Sequence, residues 1–331
     1  MKDVKSIIDN ISKELEVPRD EVMKHFQRFL EEYKQKFPEK IATKKALRRV
    51  KRLVSSTVEF KGFLIGMSDL VDRVKIIKLQ AKKLYENNPE EAISRGITNS
   101  DGIPLDTRTS VRGRPNPNFG LPFKEGETEY VRTIYGIVLY KNKWTPFTMT
   151  LWRDNARDIG DLELFTPYSF RAIAKDFNGK WLRINISTYT QFQPIDEKWN
   201  ISEIIRTTIG TKKLSTLFKI GSTREPKIVK GIVTRIRLEP LSTGNRMLWI
   251  DDDSLTWEDE EVLCFIPPHI TINFQEGSEI LVVGIPRLQS RDDGDRLSIN
   301  VLGIYPLNIV KQESEKQESQ IEEMEAEFIQ L

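Results

Sequence analysis

Two runs of short alternating segments are the feature that most constrains the fold of this 331-residue chain. They cover roughly residues 130–196 and 226–308, and in each run apolar and polar residues alternate between turn-forming residues. A period of two places successive side chains on opposite faces of a strand. The chain is therefore expected to be mainly β in these two regions.

Each run supplies five strands once one earlier apolar segment is added to the first. The first set is Val58–Ile65, Tyr130–Tyr140, Trp144–Trp152, Pro167–Ala174 and Lys180–Phe192, with a tight hairpin at Lys141, Asn142 and Lys143. The second set is Lys227–Glu239, Arg246–Asp251, Glu261–Ile266, Ser278–Pro286 and Arg296–Pro306. Five strands in this order, beginning with a long strand that contains a glycine (Gly231), describe an OB-fold. We expect a barrel-plugging helix after Pro267–Pro268–His269, between the third and fourth strands of the second set.

The pattern predicts a mainly β protein with a helical N-terminal region, tandem OB-fold five-stranded barrels and a C-terminal helix. Helical spacing of apolar residues marks 3–16, 19–36 and about 42–54 near the N-terminus, and about 70–86 after the first strand. The expected domains are a helical region at 1–55, a first OB-like domain at 56–198 with a long insertion of about 67–128, a linker at 199–225, a second OB-fold at 226–310 and an acidic amphipathic tail at 311–331.

The third N-terminal helix carries the densest basic run of the chain. Its cations and those beside it are Lys40, Lys44, Lys45, Arg48, Arg49, Lys51 and Arg52. A small helical bundle with a solvated basic face is the favoured interpretation, and a winged or turn-type DNA reader is the alternative. Contact with phosphate is compatible with both.

Aromatic and basic side chains share one face of the last strand in the first set. In the segment 180–189, Leu182, Ile184 and Ile186 fall on one side, and the other side holds Trp181, Arg183, Asn185 and Tyr189. The first side suits a core. The second suits a surface that stacks nucleobases and neutralises phosphates.

This pattern predicts a set of nucleic-acid-binding residues. Bases are expected to stack on Trp152, Trp181, Tyr189 and, more weakly, Phe170, while phosphates follow Arg132, Arg153, Arg171, Arg183 and Lys180. The glycine- and proline-rich segment 96–127 adds Arg108, Arg112 and Arg114, either as a basic arm along the nucleic acid or as a structural wrap over the barrel. The first block is expected to bind more strongly than the second, where the acidic stretch Asp251–Glu261 repels phosphate.

Charge is distributed unevenly along the chain. Residues 311–331 contain seven glutamates against Lys311 and Lys316, a net charge of −5; subtracting it from the whole-chain value of +2 leaves +7 for residues 1–310. A basic body suits a polyanionic partner. The apolar stripe of the tail (Ile321, Met324, Phe328 and Leu331) predicts self-association or docking onto replication or repair proteins.

The sequence excludes several catalytic chemistries. A single cysteine, Cys264, and two distant histidines, His25 and His269, give no zinc-ligand spacing and no thiol–imidazole pair. No phosphate-binding glycine loop occurs, and the acidic clusters at 251–253 and 258–261 are better explained as solvated loops than as a two-metal site. We expect no enzyme activity, no metal and no cofactor.

Cysteine usage and hydropathy also predict the compartment. Cys264 lies in an apolar strand, where burial is expected, and one cysteine cannot form a disulfide within the chain. No apolar run approaches the roughly 18 residues of a membrane span, and no signal-peptide core opens the chain. A cytoplasmic protein without a membrane partner is expected.

The arrangement resembles archaeal replication protein A, a single-stranded-DNA-binding family. Tandem OB-like blocks over most of residues 56–308 carry the resemblance, together with a short helical lead in the segment 7–22. The chain departs from the family in lacking a zinc-binding Cys/His cluster and in carrying the insertion that includes residues 102–108. The resemblance implies single-stranded DNA as the partner.

Single-stranded DNA binding in replication, repair or recombination is thus the leading functional hypothesis. A protein-interaction scaffold assembled through the tail and an RNA-binding OB-fold protein are the alternatives, and a metal-dependent nuclease is a more distant one. Binding to oligonucleotides, competition between DNA and RNA, and Mg²⁺-dependent cleavage distinguish these possibilities.

Overall fold

A computed structural model of the chain describes residues 4–15, 17–55, 57–111, 114–159, 162–186, 190–255, 261–291 and 294–308. The predicted C-terminal helix at 311–331 lies outside these ranges, as do Arg112 and Tyr189. The chain divides into two compact units. Unit 1 comprises Met1–Met67, Ile134–Met149 and Glu163–Leu331, and unit 2 comprises Ser68–Thr133 and Thr150–Leu162.

The part of the chain that the structure describes contains eight α-helices and fourteen strands. In chain order they are α1 (Val4–Leu15), α2 (Arg19–Lys34), α3 (Glu39–Ser55), β1 (Val58–Met67), β2 (Val71–Asp72), α4 (Arg73–Asn87), α5 (Pro89–Ser94), β3 (Ser110–Val111), β4 (Arg114–Pro115), β5 (Tyr130–Tyr140), β6 (Lys143–Trp152), α6 (Asp154–Asp158), β7 (Pro167–Asn178), β8 (Trp181–Asn185), β9 (Gln193–Pro194), α7 (Ile201–Thr208), α8 (Leu214–Ile220), β10 (Lys227–Arg237), β11 (Arg246–Asp251), β12 (Val262–Ile266), β13 (Glu279–Arg291) and β14 (Gly294–Asn308). None of the helices in the described ranges combines the length and apolarity that a membrane crossing requires.

The three N-terminal helices form a bundle with a core of its own. Apolar residues at helical spacing, among them Ile8 and Ile11 of α1, Phe26 and Phe29 of α2, and Val50 of α3, are buried together. The chain enters α2 through Pro18, whose fixed φ suits a position at the helix start. The prediction of three short helices is therefore confirmed.

The first barrel has the strand order β1–β5–β6–β8–β7, and β7 pairs back onto β1 to complete the ring. β6 and β8 are parallel, whereas β1 pairs antiparallel with both β5 and β7. Lys141 and Asn142 both adopt positive φ between β5 and β6, the geometry of the two-residue hairpin turn that matches strand twist. The last strand is shorter than predicted, because it ends at Asn185 rather than at Phe192.

The second barrel repeats this connectivity as a closed ring in the order β10–β11–β12–β14–β13, again with its third and fifth strands parallel. This is the OB-fold order, so the predicted tandem OB-folds are confirmed. The plugging helix is misplaced in the prediction. Residues 267–278 contain no helix, and α8 instead packs on the barrel core through Leu214 and Leu217.

The two barrels of unit 1 share an apolar interface. Phe63, Ile65 and Ile137 of the first barrel pack with Leu281 and Leu302 of the second. Ile201 and Ile205 of α7 join the same cluster, so the first helix of the predicted linker packs in the interface between the barrels.

Two glycines allow the backbones of β1 and β14 to approach each other at this interface. A Cβ on Gly66 would lie 2.9 Å from Cβ of Leu302, and a Cβ on Gly303 would overlap the carbonyl oxygen of Ile65. Larger residues at either position would push the two strands apart.

Unit 2 is built from the insertion between β1 and β5 together with the connection after β6. Its longest element, α4, begins at an N-cap, where the carboxylate of Asp72 accepts hydrogen bonds from the backbone N–H groups of Val74 and Lys75. The insertion therefore forms a structured unit with its own helices, and residues 150–162 belong to it as well.

Candidate nucleic-acid interface

The outward face of the second barrel presents two rows of side chains that cross the strands. Strand pairing sets Arg235, Trp249, Leu263, Ser298 and Arg287 side by side in one row. The alternating neighbours Leu248, Ile250, Val262, Cys264 and Ile299 point into the core and are fully or almost fully buried. Paired residues of a sheet project to the same side, so the first row lies on the outside.

The neighbouring row has a similar composition. It runs through Arg237, Met247, Phe265 and Asn300 on consecutive strands of the barrel. We call these two rows the aromatic face of the second barrel. Their members are Arg235, Trp249, Leu263, Ser298 and Arg287, with Arg237, Met247, Phe265 and Asn300.

A cation–π contact stands at the edge of the aromatic face. The guanidinium carbon of Arg235 lies 3.9 Å from the centroid of the Trp249 ring. The side chain of Arg235 is 58% exposed, and Trp249 itself is partly exposed. The indole is therefore held in place by a cation while it remains accessible from solvent.

A long hairpin borders the face on the opposite side. β13 and β14 continue to Arg291 and Gly294, beyond the predicted ends of these strands. The exposed side chains of Arg287 and Arg296 lie on this hairpin. Ser222 braces it, because its hydroxyl accepts a hydrogen bond from the backbone N–H of Leu288 at 2.9 Å.

Acidic residues near the face are partly engaged in structural contacts. Asp252 accepts a hydrogen bond from the backbone N–H of Leu214 at the start of α8, and Asp251 accepts from the backbone of the following two residues. Glu261 lies 3.8 Å from Arg235. The described part of the acidic run thus forms a loop held by hydrogen bonds, and the carboxylate of Glu261 lies near the aromatic face. Residues 256–260 lie outside the described ranges.

In the first barrel, two of the predicted stacking residues are buried. Phe170 is 3% exposed and stacks on Phe192 with ring centroids 4.6 Å apart. Trp181 is 8% exposed and meets Tyr135 edge to face. This burial corrects the prediction that Phe170 and Trp181 form an open stacking surface. Trp181 does point away from the barrel interior, but residues of the cluster between the barrels cover it.

Trp199, in the predicted linker, also covers side chains of the first barrel. Trp199 packs edge to face against Trp144 and also contacts Phe63. Both tryptophans pack against the cluster between the barrels. The chain itself therefore covers the part of the outward face of the first barrel around Trp144 and Trp181.

The predicted phosphate contacts of the first barrel differ in availability. Arg183 is exposed but forms hydrogen bonds to both carboxylate oxygens of Asp176, one of them at 2.6 Å from Nε. Arg171 is half-buried on β7. Lys180 is exposed and lines a groove of about 720 Å³ together with Trp144 and Phe177.

Unit 2 holds a second exposed aromatic with cations around it. Trp152 is 43% exposed, and the guanidinium of Arg73 lies 5.6 Å from its ring centroid. Arg157 stacks on Tyr130 at 4.0 Å. Arg153 has a φ of 58° at the start of α6, and its backbone N–H bonds to the carbonyl oxygen of Tyr130.

The remaining predicted arginine on the strands of unit 2 is far less accessible. Arg132 is 7% exposed, and desolvation by burial lowers its pKa while the nearby charge of Asp69 opposes this shift. Its position does not suit a phosphate contact.

Arg108 is predicted as a nucleic-acid contact on a segment that forms either a basic arm or a structural wrap, and the structure places it in a buried ion-pair cluster. Its guanidinium bonds to Asp106 at 2.6 Å, Glu127 at 2.5 Å and Glu129 at 3.2 Å, and it is 4% exposed. The hydrogen bonds that Arg108 donates to Asp106, opposed by desolvation, raise the pKa of Arg108. Of the other two arm residues, Arg112 lies outside the described ranges and only the backbone of Arg114, in β4, is described. At Arg108 this segment therefore has a structural role within unit 2 rather than that of a basic arm.

Trp249 and Arg235 were missing from the sequence-based set, although a signal for them exists. The signal for Arg235 is that it and Arg237 flank Ile236, which places both arginines on one face of the strand; the signal for Trp249 is weaker, because Met247, Leu248 and Ile250 beside it are all apolar. The acidic stretch Asp251–Glu261 that follows predicts weaker DNA binding by this block than by the first, and the pairing of Arg235 with Trp249 depends on register.

Comparisons with known proteins give remote structural similarity. No family model and no curated protein matches the chain. The HINa domain of Ifi202, solved in complex with a 20-bp double-stranded DNA, is 12% identical with a TM-score of 0.30, covering 75% of this chain and 99% of that one. A replication protein A heterotrimer bound to single-stranded DNA is 10% identical with a TM-score of 0.39, covering 78% of this chain and 50% of that one. The OB-fold assignment rests on the strand order of the two barrels.

Proposed function

We propose that the chain binds single-stranded DNA through the aromatic face of the second barrel. The proposal rests on the row Arg235–Trp249–Leu263–Ser298–Arg287. In this row the indole of Trp249, in cation–π contact with Arg235, lies between arginines of β10 and β13. In OB-folds that bind oligonucleotides, the face of strands two and three is the binding surface. β11 and β12 are those strands here.

The chemistry of the row suits binding that is tolerant of base sequence. A base stacked on Trp249 contributes roughly 1–3 kcal/mol whatever its identity. The exposed cations for the phosphate backbone are Arg235, Arg237, Arg287 and Arg296, and their contribution depends on salt because bound counterions are released. Leu263 and Phe265 offer further apolar surface for neighbouring bases.

Trp152 in unit 2 is proposed as an additional contact. The indole is exposed, Arg73 lies over its ring, and Arg157 lies over the ring of Tyr130 in the same unit. This pairing of an accessible ring with cations is the chemistry predicted for Trp152 and Arg153 from the sequence.

We place this binding activity in DNA replication, repair or recombination, without catalysis. This part of the proposal rests on the resemblance of the tandem OB blocks and the helical lead to archaeal replication protein A. Self-association or recruitment of a protein partner through residues 311–331 belongs to the same proposal.

Titration of a fluorescent dT oligomer at two salt concentrations tests the function. We expect tight binding that weakens with salt, weaker binding to a duplex, and a tenfold or greater loss for Trp249→Ala. Phe119→Ala is the matched control, because Phe119 is an aromatic residue of unit 2 that is 57% exposed. Equal affinities of wild type and Trp249→Ala would contradict the proposed face. Preference for a matched RNA oligomer would reassign the ligand.

A further inference from the structure

Six of the seven basic residues of α3 divide into two groups in the structure; the side chain of the seventh, Arg52, lies outside the described part of the chain. Arg49 pairs with Glu32 at 3.2 Å and covers the ring of Phe29 at 4.4 Å, and Lys51 pairs with Glu14 at 2.7 Å. Lys45 lies over the ring of Phe37. These three cations are engaged in holding the bundle together.

The second group consists of Lys40, Lys44 and Arg48. All three side chains are exposed, and none of them has a carboxylate partner within 4.0 Å among the residues described. Their spacing of four residues places them on one ridge of the helix, about 12 Å long. We call this set the α3 ridge.

The α3 ridge faces away from the bundle core. Ala42, Ala46 and Val50, which are fully buried, line the opposite side of the helix. Like charges at i and i+4 destabilise a helix, and here two such neighbouring pairs have no acidic partner. A polyanion bound along the ridge would relieve this repulsion.

We propose that the α3 ridge is a second DNA-contact surface that binds the phosphate backbone. The inference rests on the proposed function and adds to it a site that does not stack bases. No aromatic side chain lies on the ridge, so its contribution is purely electrostatic. It therefore serves double-stranded and single-stranded DNA alike.

The test compares the triple variant Lys40→Gln, Lys44→Gln, Arg48→Gln with Trp249→Ala in the full chain. Affinities for a dT oligomer and for a duplex of the same length are measured over a range of salt concentrations. For the ridge variant we expect the slope of log K against log salt to fall by about two on single strands, and the residual duplex affinity to fall as well. For Trp249→Ala we expect loss on the single strand with little change on the duplex.

A control triple variant carries the same charge change in unit 2: Lys75→Gln, Lys82→Gln, Lys83→Gln, at exposed lysines of α4. The ridge proposal is contradicted if the ridge variant keeps the wild-type salt slope and duplex affinity, or if it behaves like this control. Neither result contradicts DNA binding by the aromatic face. A Trp249→Ala protein with wild-type single-strand affinity overturns the proposed function instead, whatever the ridge variant does.

Discussion

The indole rings of Trp144 and Trp199 meet edge to face with their centroids 5.1 Å apart. Trp199 comes from the segment that joins the two barrels, so the connection itself covers part of the outward face of the first barrel. In the second barrel, the corresponding face keeps Trp249 accessible beside Arg235. This difference determines the expected effects of substitution in the two barrels.

Arg235→Ala should weaken single-strand binding and reduce its salt dependence. Removing one phosphate contact lowers the slope of log K against log salt by roughly 0.7 on single strands. Arg235→Lys should preserve the slope while losing part of the affinity, because an ammonium stacks less well on an indole than a guanidinium does. Fluorescence anisotropy at several salt concentrations measures both; a slope unchanged by Arg235→Ala would contradict a phosphate role.

Trp181→Ala should impair folding rather than DNA contact. The ring is buried in the cluster between the barrels, and truncating a buried tryptophan costs about 3–5 kcal/mol. Urea unfolding should show a lowered midpoint, while single-strand affinity measured where the variant is folded should stay at the wild-type value. A variant of normal stability that no longer binds would instead restore Trp181 as a stacking residue.

Unit 2 should lose stability at acid pH through Asp106. Burial alone would raise the pKa of Asp106, but hydrogen bonds from Arg108 and Asn116 outweigh it and hold the pKa below its usual value. Because the folded pKa is depressed, this contribution is fully present above the unfolded pKa of about 3.9 and is lost as the pH falls through the folded pKa.

Hydrogen exchange of unit 2, corrected for intrinsic rates, should therefore accelerate at acid pH. Asp106→Asn should destabilise unit 2 at neutral pH, on the order of 3 kcal/mol, because it leaves Arg108 buried with one partner fewer. The same variant should show a weaker dependence on pH. Identical pH profiles for variant and wild type would exclude Asp106 as the titrating group.

Trp152→Ala should lower single-strand affinity by less than Trp249→Ala does. The indole of Trp152 is 43% exposed, so its removal creates no buried cavity and should leave the unfolding midpoint nearly unchanged. Quenching of tryptophan fluorescence on titration with a dT oligomer should be reduced in this variant. Wild-type affinity together with wild-type quenching would remove Trp152 from the interface.

The sequence by itself determined the strands and their assembly into two barrels. The reason is that inward and outward positions alternate within a single strand, so the core residues Leu182, Ile184 and Cys264 can be assigned without knowing any partner. The hairpin turn at Lys141 and Asn142 is equally local. The basic run of α3 was also visible as a run of charges.

Tertiary structure alone decided which outward aromatic residues are open. Trp181 and Trp249 both occupy outward-facing positions of their strands, yet packing between the barrels buries one while the other remains accessible. The sequence is compatible with Arg108 as a surface cation, whereas in the fold Arg108 forms ion pairs with Glu127 and Glu129. Exposure of an outward face depends on segments that are distant in the chain; at Gly303, for example, β14 packs closely against Ile65 of β1. Periodicity along one strand carries no information about such contacts.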